Sequence, residues 1–190
     1  MHDIVGARRL ASALGTAALL VGAMAIPASA GTVSAQITAG GLTASVADMS
    51  FPSVTYDNAA QDVTGTMVVS ADDSRGTGAG WSVTVQGSSF VYAGAAGGTD
   101  IPPSAFALTS AQQPTWVAGQ AVSLTAANGP QFPPEIVYGS LASPIKTIRA
   151  TAAYGAGTYL QNLGVTLTIP AQSHVGTYTG TLTTTISATP

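Results

Sequence analysis

The 190 residues carry five Lys and Arg against eight Asp and Glu, a formal charge of −3, and only 7% of them are charged while 46% are hydrophobic. A charged share so far below the roughly 25% of an average soluble domain excludes the clustered cations that phosphate neutralisation needs, and with them nucleic acid as a partner. Cysteine is absent, which excludes disulfide staples, thiolate metal sites and a cysteine nucleophile.

Residues 1–30 have the three parts of a secretory signal: Arg8 and Arg9 in a basic start, an apolar stretch from about Leu10 to Ile26, and Ala28-Ser29-Ala30 as a small-residue cleavage site. Gly15, Thr16 and Gly22 dilute the apolar stretch, so it reads as a leader and not as a span of about 20 strongly apolar residues. Cleavage after Ala30 leaves residues 31–190, a single domain large enough to bury a core without staples. Its cations are Arg75, Lys146 and Arg149 against Asp48, Asp57, Asp62, Asp72, Asp73, Asp100 and Glu135. No polybasic segment is present to hold anionic lipid, so no membrane contact is expected after cleavage.

Along the mature chain, short apolar runs with period two recur between Gly, Pro, Asn and Asp, as in strands. Residues 31–37 and 42–46 alternate around Ala39-Gly40-Gly41, a hairpin-like break. Phe51-Pro52 and Tyr56-Asp57-Asn58 punctuate the next stretch. A strand follows over 63–71, with Val63, Gly65, Met67 and Val69 on one face, then a loop over 72–80. Trp81, Val83 and Val85 alternate with Ser82, Thr84 and Gln86. Proline density over 93–144 forbids long helices and leaves short strands at 105–108 and 122–126. Regular order returns at 145–152, 159–163 and 165–169. In the terminal run Tyr178, Gly180, Leu182, Thr184 and Ile186 share one face, opposite Thr179, Thr181, Thr183, Thr185 and Ser187. This strand is expected to close the domain with no tail. Many short strands at turn-punctuated intervals predict an all-β fold, an antiparallel β-sandwich.

Side chains for catalysis or metal binding are sparse. Asp72-Asp73-Ser74-Arg75-Gly76-Thr77-Gly78 clusters oxygen ligands, but its spacing differs from that of a calcium loop, and a solvated turn in which Asp73 caps backbone amides is expected. His174 has no second mature histidine with which to share a zinc ion. No G-x-S-x-G elbow presents a serine, Glu135 is the sole glutamate available for paired-carboxylate hydrolysis, and Gly94 to Gly98 lacks the ending of a phosphate loop. The expectation is a protein without cofactor, metal or enzymatic activity.

The spacing Tyr178-x-x-x-Leu182-Thr183-Thr184-x-Ile186-x-x-x-Pro190 resembles the distal motif of WxL-domain proteins, and Gly80-Trp81-Ser82-Val83 resembles their proximal motif. Tyr154-Gly155-Ala156-Gly157-Thr158-Tyr159, Leu167-Thr168-Ile169-Pro170 and Gly176-Thr177-Tyr178 are similar to the segments that lead into the family's end. The similarity covers roughly residues 37–190. Two departures stand out: Thr184 occupies the distal tryptophan position, and Val83 and Ile186 replace the leucines. β-branched replacements keep a strand face, whereas losing an indole removes some 150 to 250 Å² of aromatic area.

The resemblance implies an exported surface protein that associates non-covalently with the Gram-positive cell wall, on peptidoglycan or an attached polymer. The alternative is a structural subunit of a surface assembly that binds other surface proteins. Wall-binding candidates under the resemblance are Trp81, Val83, Tyr154, Tyr159, Tyr178, Leu182 and Ile186. Trp81 reads either as a core residue or as a sugar-stacking platform, and the tyrosines either as loop-closing hydroxyls or as the lining of a carbohydrate groove. Trp116, between Pro114 and Gly119, is a second candidate contact, with local packing the stronger reading. The sequence holds neither an L-P-x-T-G sorting signal nor a terminal hydrophobic segment, so covalent or membrane tethering is not expected.

Overall fold

A computed structural model describes residues 34–125, 127–133 and 136–190. The secretory-signal segment lies outside the described residues.

Two long strands carry the frame. β2 (Gln61–Asp73) and β9 (Gly157–Ile169) pair antiparallel along their full lengths, from Gln61↔Ile169 to Asp73↔Gly157. Directly opposite residues share a face, so the odd-numbered positions of both strands point the same way: Val63, Met67, Val69 and Ala71 with Tyr159, Gln161, Leu163, Val165 and Leu167, all buried. The expected face of Val63, Gly65, Met67 and Val69 is thus the core face. β1 (Leu42–Val46) pairs with β2 on one side. On the other side β5 (Phe106–Ala111) and β6 (Thr115–Gly119) pair in succession with β9, and β7 (Gly139–Ser140) extends β5.

The facing sheet is β11 (Leu182–Ser187), β3 (Trp81–Gly87) and β8 (Ile145–Ala150), with β3 in the middle. Trp81, Val83, Val85 and Ile148 from this sheet join the odd-numbered residues of β2 and β9, with Phe106 and Leu108, in one hydrophobic core. A two-strand ribbon of β4 (Val91–Ala93) and β10 (Thr177–Thr179) projects from one end. The strands are antiparallel throughout, and the only helical element among the described residues is a single 3₁₀ turn at Pro103–Ala105. The fold is the expected antiparallel β-sandwich.

Several boundaries differ from the sequence reading, and the terminal run expected as one strand is two: Thr177–Thr179 pairs with β4 and Leu182–Ser187 with β3, in separate sheets. Of the expected 31–37 strand the described residues 34–37 form none, and Gly40 donates its N–H to the Ser74 carbonyl at 3.0 Å, just past the end of β2, in place of a hairpin around Ala39-Gly40-Gly41. β2 continues to Asp73, because Asp72 and Asp73 find partners across the sheet in Thr158 and Gly157. The 159–163 and 165–169 runs are one strand, since Gly164 stays paired with Thr66. Among the described residues of the expected 122–126 strand a bridge of Ser123 to Gly129 forms and no strand, while 115–119, which carries no alternating signal, is recruited by the free edge of β9.

Candidate functional site

The two motif segments are neighbours. β11 pairs with β3 in the register Ile186↔Val83 and Thr184↔Val85, so the last positions of the two triplets face one another across the β11–β3 ladder. Period two places Leu182, Thr184 and Ile186 half-buried on the inner face and Thr183, Thr185 and Ser187 in solvent. Thr184 directs its hydroxyl to the Ala44 carbonyl of β1 at 3.4 Å. The position where the family carries its second tryptophan is therefore the seam between β11 and β1.

Trp81 has no exposed surface. Its indole lies 6.1 Å from the Tyr159 ring of the opposite sheet, and its Nε1 donates to the Gly155 carbonyl at 2.9 Å. Gly155 adopts φ +83°, and a Cβ there would stand 2.7 Å from that Nε1 and 2.6 Å from the Ala150 Cβ, so a side chain is excluded by backbone and space together. Tyr159, also fully buried, donates its hydroxyl to the Gln120 carbonyl at 2.6 Å. Burial, with the Asp73 carboxylate nearby as a lesser cause, pushes the phenol up to about 12. Gln120 in turn donates to Ala153 O and accepts from Ala156 N, and so ties down the turn after β8.

Asp73 is buried and not the solvated cap expected of it. Arg75 reaches back over one residue to place Nε 2.8 Å from Oδ1 and Nη2 2.9 Å from Oδ2, and the same Nη2 donates to Ala79 O at 3.0 Å. Asp73 also accepts the Arg75 N–H at 3.1 Å, so the amide-capping half of the expectation is met. The guanidinium hydrogen bonds hold the Asp73 carboxyl below its usual value, against the opposing effect of burial. The loop is a clip that fixes the chain leading into Trp81. Among the described residues no group of three or more His, Asp or Glu side chains is placed to hold a metal ion.

At the other end of β9 the sandwich stays open. The connection between β1 and β2, residues 47–60, folds over it, and the missing side chain at Gly65 provides a seat: a Cβ there would collide with Met49 Cε at 2.5 Å. Phe51 enters beside Met49 and meets Phe106 edge-on at 6.0 Å, while Phe90 meets Phe106 at 5.3 Å. Above this floor lies a groove of about 850 Å³ between the 47–60 connection and residues 170–182. Tyr56 is 52% exposed on one wall. On the other, Tyr178 packs on Tyr92 at 5.2 Å, and their hydroxyls close the preceding loop by donating to His174 O and Val175 O, both at 2.9 Å. Asp48, Asp57 and His174 are the ionisable groups on the lining besides the tyrosines, and no Lys or Arg lines it.

Of the seven candidates, Tyr178 and Leu182 line this groove. Trp81, Val83 and Tyr159 are fully buried and present no face to a polymer in this structure. Ile186 packs half-buried against the core, and Tyr154 sits half-buried in the turn that covers Trp81. The hydroxyls of Tyr159 and Tyr178 close loops. Sequence reasoning passed over Met49, Phe51 and Tyr56, whose signal was two aromatics inside a stretch of Ser, Pro and Asn that reads as turn punctuation. His174 is exposed and hydrogen-bonds through Nδ1 to the Ala96 carbonyl, at the rim of the same groove.

No helix among the described residues is long and apolar enough to cross a membrane. Comparison with curated proteins and with solved structures gives no match. The family model described as WxL domain surface cell wall-binding matches residues 23–190, the paired motif strands and both ends of the sandwich included. The chain belongs to the WxL domain family of surface cell wall-binding proteins.

Proposed function

We propose that the protein is exported and held non-covalently on the Gram-positive cell wall by peptidoglycan, with the groove between residues 47–60 and 170–182 as its contact surface. The observation that carries this reading is the make-up of the lining: an aromatic floor, tyrosines on both walls, backbone and hydroxyl groups, two carboxylates and no Lys or Arg. Ligand sites combine such apolar surface with a few oriented polar groups. Sugar rings offer an apolar face to aromatics and hydroxyls to the rim, whereas a phosphate-bearing wall polymer would meet Asp48 and Asp57 without a compensating cation. Tyr178 and Leu182 are direct contacts in this reading. Trp81, Val83, Tyr159 and Ile186 act through the frame that holds the terminal strand, and Tyr154 through the turn that covers Trp81. The role is binding and not catalysis.

Washed Gram-positive walls, with and without extraction of their anionic polymers, provide the test. Retention should persist after extraction and fall several-fold in Tyr56→Ala and Tyr178→Ala, whose side chains are not in the sealed core. A protein left in the supernatant at low and moderate salt overturns wall binding, and retention that disappears with the anionic polymers overturns peptidoglycan as the ligand.

A further inference from the structure

We propose that Trp116 forms a second carbohydrate subsite, a fixed indole platform that stacks on a sugar ring of an uncharged glycan. It rests on the wall-binding reading for its physiological ligand but on a different part of the molecule, since β6 shares no lining residue with the groove. All five residues of β6 are exposed, and Trp116 is 55% exposed. Its indole does not hang free: Nε1 donates to the Gly119 carbonyl at 3.0 Å, three residues on. The ring's one polar group is thereby satisfied and its orientation set, leaving the π face as the surface on offer. Residues 101–134 contain no charged residue, so the β6 segment is itself uncharged, with Gln112, Thr115 and Gln120 exposed along the same stretch; Asp72, across β9 from Ala118, accepts the Thr158 hydroxyl at 2.6 Å. With the Gln120 amide and the Thr115 hydroxyl engaged within the protein, the indole face is the main surface this uncharged segment offers; it matches the apolar face of a sugar ring and brings no cation to a phosphate.

Strand addition by a protein partner is the competing use of an exposed edge. The geometry disfavours it. The β6 ladder slips register between Trp116 and Ala118 and ends at Gly119 with φ +83°, and short, irregular strands are poor templates for an added strand.

The chain contains two tryptophans, one fully buried and one exposed, so fluorescence separates them. Acrylamide quenching reports mainly Trp116. Adding a soluble oligomer of β-1,4-linked N-acetylglucosamine to millimolar concentration should protect that indole and shift its emission. Trp116→Ala should abolish the response and lower retention on washed walls several-fold without changing the thermal midpoint, and Trp116→Phe, which keeps a ring face, should restore most of the retention. Unchanged quenching and emission overturn the inference, whatever the walls do. Equal retention of wild type and Trp116→Ala overturns it as a wall contact and leaves the groove reading standing. Failure of the wild type to bind walls overturns the groove reading, and the oligosaccharide titration then decides Trp116 by itself. A Trp116-dependent dimer in light scattering that ignores the oligosaccharide would assign the edge to a second copy and overturn the glycan.

Discussion

The two ends of β9 solve opposite problems. Near Gly157 and Tyr159 the sandwich is sealed: the turn after β8 and the Gln120 segment give Trp81 Nε1 and the Tyr159 hydroxyl carbonyl partners, as groups buried this deeply require. Near Leu167 and Ile169 the sheets part, and three phenylalanines floor a groove that loops enclose without filling. The same alternation of inward residues runs through both ends, so the strands do not make the difference. The connections do. A glycine-rich turn collapses onto the core at one end, while a longer stretch with Pro52, Tyr56 and Asp57 stands over it at the other. In the proposed reading the buried motif residues of the sealed end serve the fold, while ligand contacts fall on the open groove and on Trp116, exposed on the strand beside the sealed end.

The largest expected effect comes from unsealing the closed end. Trp81→Ala removes a fully buried indole and its bond to Gly155 O, and should lower stability by about 3 to 5 kcal/mol in denaturant unfolding. Wall retention per folded molecule should stay near wild type. A variant that keeps its stability but loses wall binding would break the division between a structural end and a binding end.

The sequence made that division half legible. Period-two patterning exposes β3, β11 and the inner face of β2 directly, because each buries one side, and the WxL resemblance points to the strands that pair as β3 and β11. Whether Trp81 faces the core or a ligand cannot be read from Trp81-Ser82-Val83, since a platform and a core residue occupy the same strand position; the answer depends on Gly155, 74 residues away, closing over it. The groove was hidden for a related reason. Met49 and Phe51 look like loop residues until Gly65, in another strand, leaves them a seat. β6 had no signal at all, because an exposed edge strand buries no face and so leaves no alternation.

A middle-sized effect tests the clip that leads into Trp81. Arg75→Ala strips a buried carboxylate of its charged partner and should cost roughly 1.5 to 3 kcal/mol at neutral pH. Because the guanidinium holds Asp73 below its ordinary value of 3.8 in the folded state, the pairing stabilises above that pH and its contribution fades as pH falls through the lowered folded value. Thermal midpoints measured between neutrality and strong acid should therefore converge for wild type and Arg75→Ala. Parallel curves would mean that the ion pair does not brace the closed end.

The smallest effect sharpens how tightly that end is sealed. Tyr159→Phe deletes the bond to Gln120 O while keeping the ring against Trp81, and should cost about 0.5 to 1.5 kcal/mol near pH 7. Above pH 10 the order should reverse in slope. Folding raises the phenol from 10.0 to about 12, so the unfolded chain ionises first, and this residue's contribution is intact below pH 10 and lost as pH climbs towards 12. Wild type should lose its advantage over Tyr159→Phe across that interval, and subtracting the two unfolding curves cancels the exposed tyrosines common to both. A constant difference from pH 9 to 12 would mean that Tyr159 reaches solvent through the turn, and the end described as sealed would be open to ligand after all.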